Sequence, residues 1–152
     1  MRIALGGTFG PLHDGHKKLI EKAIDLSRIN ESESEVIFGV TTDDMVQKTK
    51  KTAPYEKRVL CLKQYISETF GIDVKVVALK DRNGTTLDEH FDYLVVSPET
   101  YPFAENINKL RKVLGKDLIS IEVVDFVMAE DGKPISATRI KNGEIDCHGH
   151  IL

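Results

Sequence analysis

Five short apolar runs alternate along the chain with stretches in which hydrophobic residues return every three or four positions. Arg2 to Gly6, Glu35 to Thr41, Asp73 to Leu79, Tyr93 to Ser97 and Ile119 to Phe126 have the length and apolar continuity of buried strands. Leu19, Ile20, Ala23 and Ile24 mark one helical face, Val59, Leu62, Ile66 and Phe70 a second, and Ile107, Leu110 and Leu114 a third, all expected in the core. Strands separated by amphipathic helices imply parallel βαβ units, so the fold class is α/β: a Rossmann-like, doubly wound sheet of about five parallel strands flanked by helices. Ligands of such sheets bind at the carboxyl ends of the strands, where the strand order reverses. Thr42 to Thr52 and Asp81 to His90 read as surface loops. A chain of 152 residues suits one domain spanning 1–152, and no repeat or linker divides it.

The run Gly6-Gly7-Thr8-Phe9-Gly10-Pro11-Leu12-His13-Asp14-Gly15-His16 stands where the first strand ends and the first helix begins. Its glycines permit a sharp turn, and a helix start with unencumbered amides attracts phosphate. His13 and His16, three apart, can face one ligand. Neither the dinucleotide fingerprint nor the Walker loop is present, so the phosphate chemistry must rest on the histidines. Far downstream, Lys133-Pro134-Ile135-Ser136-Ala137-Thr138-Arg139-Ile140-Lys141 offers hydroxyls and amides at another helix start, with Arg139 and Lys141 as fixed positive charge.

The first run resembles the Thr-x-Phe/Gly-Pro-x-His-x-Gly-His signature of the nucleotidyltransferase superfamily, and the second that superfamily's Ile-Ser-Ser-Thr-x-x-Arg region. Between them, Val95-Val96-Ser97-Pro98-Glu99-Thr100 resembles the Val-Val-Ser-x-Glu-Thr of archaeal and eukaryotic phosphopantetheine adenylyltransferases. With Pro54-Tyr55-Glu56-Lys57-Arg58 and the segment from Arg139 to Asp146, the likeness covers nearly the whole chain. It implies transfer of the adenylyl group of ATP to 4′-phosphopantetheine, giving dephospho-coenzyme A and pyrophosphate. The rivals that share both motifs are nicotinamide mononucleotide adenylyltransferase, flavin adenine dinucleotide synthetase and cytidylyltransferases. A nucleotide-binding module without catalysis is the alternative of a different class.

The resemblance assigns Gly7, Thr8, Phe9, His13 and His16 to the ATP phosphates, with His16 as the catalytic contact to the α-phosphate. Ser136, Ala137, Thr138, Arg139 and Lys141 fall to the β- and γ-phosphates. Thr8 also reaches the acceptor, and a lysine of the loop after the second strand, Lys50 or Lys51 rather than Lys48, binds the transferred phosphates and the substrate. The sequence departs from the family's pattern at Gly10, where Asp is common, at Ala137, where Ser is common, and at Lys141, which aligns with an arginine. Magnesium is implied through the ATP phosphates, with no metal ligands from the protein.

A formal net charge of −3 without long blocks of one sign argues against nucleic acid as a partner. No stretch approaches the ~20 apolar residues of a membrane span, so a cytoplasmic protein is expected. Cys61 and Cys147 are expected to be reduced. Cys147-His148-Gly149-His150 reads as a frayed tail rather than a metal site, and a monomer is expected, with assembly left open.

Overall fold

The computed structural model describes residues 1–29, 34–46, 52–81, 86 and 88–152. In chain order the elements are β1 (Arg2–Gly7), α1 (Asp14–Arg28), β2 (Glu35–Thr41), α2 (Asp43–Val46), α3 (Tyr55–Phe70), β3 (Lys75–Leu79), β4 (Tyr93–Val96), α4 (Tyr101–Val113), β5 (Ser120–Val123) and α5 (Ala137–Lys141). The strands form one sheet in the order β3-β2-β1-β4-β5, and every pairing is parallel. This is the doubly wound arrangement the alternation of elements implies, and the order reverses between β1 and β4.

The pleat sorts each strand's residues onto two cores. Ile3 and Leu5 of β1, with Val36, Phe38 and Val40 of β2, face Ile20, Ala23 and Ile24 of α1 and Leu62 and Ile66 of α3. The intervening Ala4 and Ile37 point the other way, with Leu94 and Val96, onto Ala104 and Ile107 of α4. Gly6 and Gly39 are register partners on the two central strands, and Leu79 lies over both. A Cβ at Gly39 would come within 2.8 Å of the Leu79 side chain, so that strand position must stay bare.

Three expectations need correction. In α4 only Ile107 of the three expected apolar positions is buried; Leu110 and Leu114 are exposed, and Arg111 goes inward in their place. Three carbonyls explain the exchange: the Arg111 guanidinium donates to Asp117 O at 2.7 Å, Thr86 O at 2.7 Å and Glu89 O at 3.0 Å, donors that a leucine could not supply. The tail is not frayed either. Ile145 is fully buried with Ala129 and Ile135 in a small third core, and Ile145 and Ile151 form an antiparallel bridge. The expected loop from Thr42 contains the short helix α2.

Candidate active site

The carboxyl ends of β1 and β4 bring the first run and the Ser97 turn to the edge of the switch crevice. Ser97 and Thr100 close that turn on each other, with Ser97 N–H donating to Thr100 Oγ1 at 3.1 Å. Phe9, buried and packed against Phe38, adopts a left-handed φ of 50°. A bulky residue held there marks a loop shaped by its surroundings rather than by local preference.

The two histidines cap α1 in a reciprocal box. His13 is the N-cap: its Nδ1 accepts from Gly15 N–H at 3.0 Å and from His16 N–H at 3.4 Å. His16 Nδ1 in turn accepts from His13 N–H at 3.3 Å, and the rings stack with centroids 3.8 Å apart. Asp14 N–H donates to Cys147 O at 3.1 Å. The helix start therefore has no unencumbered amides, contrary to the expectation from sequence, because the side chains meant for the ligand have turned back onto the backbone. Gly15 makes this possible: a Cβ there would stand 2.8 Å from His13 Cε1.

An Nδ1 that accepts an N–H carries no proton, so each neutral ring is the Nε2–H tautomer. Burial drives His13 down to about 4 against the opposing pull of Asp14, and drives His16 to about 3, with the neighbouring His13 adding to the fall. Both rings are thus neutral donors at pH 7. No described side-chain nitrogen or oxygen is sealed from solvent without a partner, so the Nε2–H groups, which have none, remain accessible.

A buried arginine, given no role by the sequence, organises the other side of the loop. Arg58 Nη1 donates to Thr8 O at 2.9 Å and Thr41 Oγ1 at 3.3 Å, Nε to Ala53 O at 2.8 Å, and Nη2 to Asp43 Oδ1 at 3.2 Å. Thr41 Oγ1 donates to Thr8 Oγ1 at 3.1 Å. A Cβ on Gly10 would come within 2.6 Å of Arg58 Cδ, which supplies a physical reason for glycine where relatives of the signature carry Asp. The one available signal was spacing: Arg58 falls on the stripe of Leu62 and Ile66, a charge in the middle of an apolar face.

Of the downstream run, Lys141 reaches the same place, while the other residues keep local partners. Lys141 Nζ donates to Thr52 Oγ1 at 2.5 Å, and its pKa is lowered by burial and by the nearby charge of Arg58. Ser136 caps α5 by accepting from Arg139 N–H at 3.2 Å. Thr138 is exposed and Ala137 half-buried. The Arg139 guanidinium binds the Asp131 carboxylate, Glu144 Oε1 at 3.3 Å and Pro134 O at 3.2 Å, which holds α5 against the preceding turn. Lys48, Lys50 and Lys51 lie outside the described residues.

Residues 4–143 match the model of the cytidylyltransferase-like family. A protein of Archaeoglobus fulgidus named phosphopantetheine adenylyltransferase is 48% identical over the whole of both chains. The chain belongs to this family. A Methanosarcina barkeri protein of the same name is also 48% identical, over 99% of this chain and 92% of its own. Among solved structures, a protein of unknown function from Archaeoglobus fulgidus superposes with a TM-score of 0.75 at 44% identity, covering 82% of this chain and 90% of that one. In this chain the histidine loop and the end of α5 approach each other through Arg58, which holds Thr8 O, and Lys141, which feels the Arg58 charge.

Proposed function

We propose that the chain transfers the adenylyl group of ATP to 4′-phosphopantetheine, releasing pyrophosphate and forming dephospho-coenzyme A. The observation that carries this reading is the convergence of Thr8, Arg58 and Lys141 at the mouth of the crevice, on a chain whose full-length relatives bear the name of that activity. A phosphate oxygen of the acceptor attacks the α-phosphorus of ATP, and the bond to the bridging oxygen of pyrophosphate breaks. The nucleophile is already ionised, so the protein's work is alignment of two anions and stabilisation of the charge that builds between them.

In this reading His16 donates its Nε2–H to the α-phosphate and His13 donates beside it. The amides of Gly7, Thr8 and Phe9 line the turn, while Ser136, Ala137, Thr138, Arg139 and Lys141 receive the β- and γ-phosphates. Arg139 meets them only by giving up part of its hold on Asp131 and Glu144. Lys50 or Lys51 joins the transferred phosphate and Thr8 meets the acceptor. Magnesium would be held mainly by the oxygens of the triphosphate, where it would neutralise charge on the phosphates. The same reading takes the chain to act as a monomer. No described helix is long and apolar enough to cross a membrane, and the reading places the reaction in the cytoplasm.

The test is incubation with ATP and magnesium plus 4′-phosphopantetheine, nicotinamide mononucleotide or flavin mononucleotide, with pyrophosphate and the adenylylated product both measured. Turnover with 4′-phosphopantetheine alone is expected. Turnover with another acceptor only, or tight ATP binding with no release from any, overturns the reading.

A further inference from the structure

The hydrogen-bond accounting at the start of α1 leaves one amide, that of Asp14, whose acceptor comes from neither histidine. It is met by the Cys147 carbonyl at 3.1 Å, and the Asp14 carboxylate is met by His148 Nδ1 at 3.0 Å and 3.2 Å. Both partners sit in a hairpin of residues 144–152, which begins just beyond α5. An exposed pair such as Asp14 and His148 is worth little alone. The hairpin gives it purchase: Asp146 N–H donates to His150 O at 2.9 Å, Leu152 N–H to Glu144 O at 3.1 Å, and Glu130 N–H to Gly149 O at 2.9 Å. The Asp146 carboxylate accepts from the His148 and His150 amides, both at 2.9 Å. Ile145 roots the hairpin in the third core with Ile135, next to the cap of α5.

We propose that the 144–152 hairpin, through the Cys147 carbonyl and the His148 ring, is the positioning element that fixes the first turn of α1, and so the two histidine Nε2–H groups, relative to α5. The inference rests on the adenylyl-transfer reading for its kinetic consequence. Its structural content stands apart: His13 and His16 hold each other across the residue whose amide the hairpin caps, and Asp14 lies between them in sequence. A first turn released from Cys147 O frays, and the reciprocal bonds that select one tautomer on each ring loosen with it.

Gly149 supplies the perturbation. Its φ is +85°, and a Cβ there would lie 2.8 Å from the Ala129 Cα and 2.9 Å from Ile135 Cδ1, so Gly149→Ala forces the hairpin off its seat. Gly115→Ala is the control, at φ +73° with nothing within 4 Å of the added carbon: similar backbone strain without displacement. Three readouts apply to the full chain: ¹⁵N shifts of the His13 and His16 rings, exchange of the Asp14 amide, and pyrophosphate release with kcat and the KM for ATP separated. In Gly149→Ala we expect mixed tautomers, Asp14 exchange at least tenfold faster, and kcat down about tenfold or more with the ATP KM within about threefold. Gly115→Ala keeps all three at their starting values.

Should Gly149→Ala fail to fold, His148→Ala decides, with faster Asp14 exchange and a kcat loss of about threefold that His148→Gln restores. Folded variants with both rings still in the Nε2–H form and kcat within twofold of the control overturn the proposal. If the unaltered protein releases no pyrophosphate, the activity reading falls, while the ring shifts and amide exchange still decide whether the hairpin holds the helix start.

Discussion

Acid should unfold this protein through its two capping histidines before its carboxylates respond. Each ring titrates near 6.5 in an unfolded chain, whereas His13 is held near 4 and His16 near 3 when folded. Below pH 6.5 the unfolded state therefore binds protons that the folded state refuses, and stability falls as pH falls. Each pH unit in that window costs about 1.4 kcal/mol per ring, so at pH 5 each has removed about 2 kcal/mol, roughly 4 kcal/mol together. That is a large part of the ~5–15 kcal/mol of an ordinary domain. Asp92, Asp131 and Asp146 also sit below their usual range, respectively through hydrogen bonds from the Arg2 amide, the Arg139 side chain and the His150 amide. Their contribution is lost only as pH falls below the ordinary carboxylate range, so the interval from 6.5 to 5 isolates the histidines. Urea midpoints across that interval should give a slope near 2.8 kcal/mol per pH unit from the pair, halved in His13→Asn, which keeps a capping side chain, and abolished in His13→Asn with His16→Gln. A double variant with the slope of the unaltered chain would refute the neutral, buried assignment.

Removal of His16 as His16→Ala should cut kcat by ~10²–10³ with a smaller change in the KM for ATP, by analogy with a lost oxyanion donor, and unchanged turnover would take His16 out of the chemistry. Arg58→Ala strands Thr8 O and Ala53 O and empties a buried site, so a loss of about 3–5 kcal/mol in denaturant unfolding is expected; less than about 1 kcal/mol would mean those carbonyls find other donors. Gly15→Ala should push the His13 ring off its two amides, costing about 1 kcal/mol of cap stability and lowering kcat, and a variant with native melting and turnover would contradict the close approach. Gly10→Asp should destabilise by displacing the Arg58 stem, with the loss read from the same urea series.

The sheet was legible because burial on both faces writes strands as continuous apolar runs, and the strand positions observed fall within the runs or one residue past them. What periodicity could not reach were places where a polar group outbids a hydrophobe. Arg111 and Arg58 are both nearly fully buried, and each is inside because loop carbonyls converge on it from segments distant in sequence. Leu110 carries the same apolar signal as Ile107 and is left outside. The tail's order has a related cause: Cys147 to His150 has no apolar pattern, and it is held by backbone bonds, by polar bonds to Asp14 and Asp146, and by the small core around Ile145.

The helix start is the point at which motif and physics part. A Walker-type loop presents bare amides to phosphate, and the field of the helix acts on the ligand directly. Here His13, His16 and Cys147 O consume those amides, so the positive pole of α1 reaches the crevice through two polarised imidazoles. A ring whose Nδ1 accepts from backbone amides keeps its proton on Nε2, aimed away from the backbone, and that N–H becomes a stronger donor. In the proposed reaction an incoming triphosphate would meet two neutral donors rather than a cation. As negative charge builds on the α-phosphate, the pKa of each ring must rise, because an anion close by favours the imidazolium that burial had opposed. On the proposed reading the two donors would therefore gain most as charge develops, which is the differential that catalysis requires.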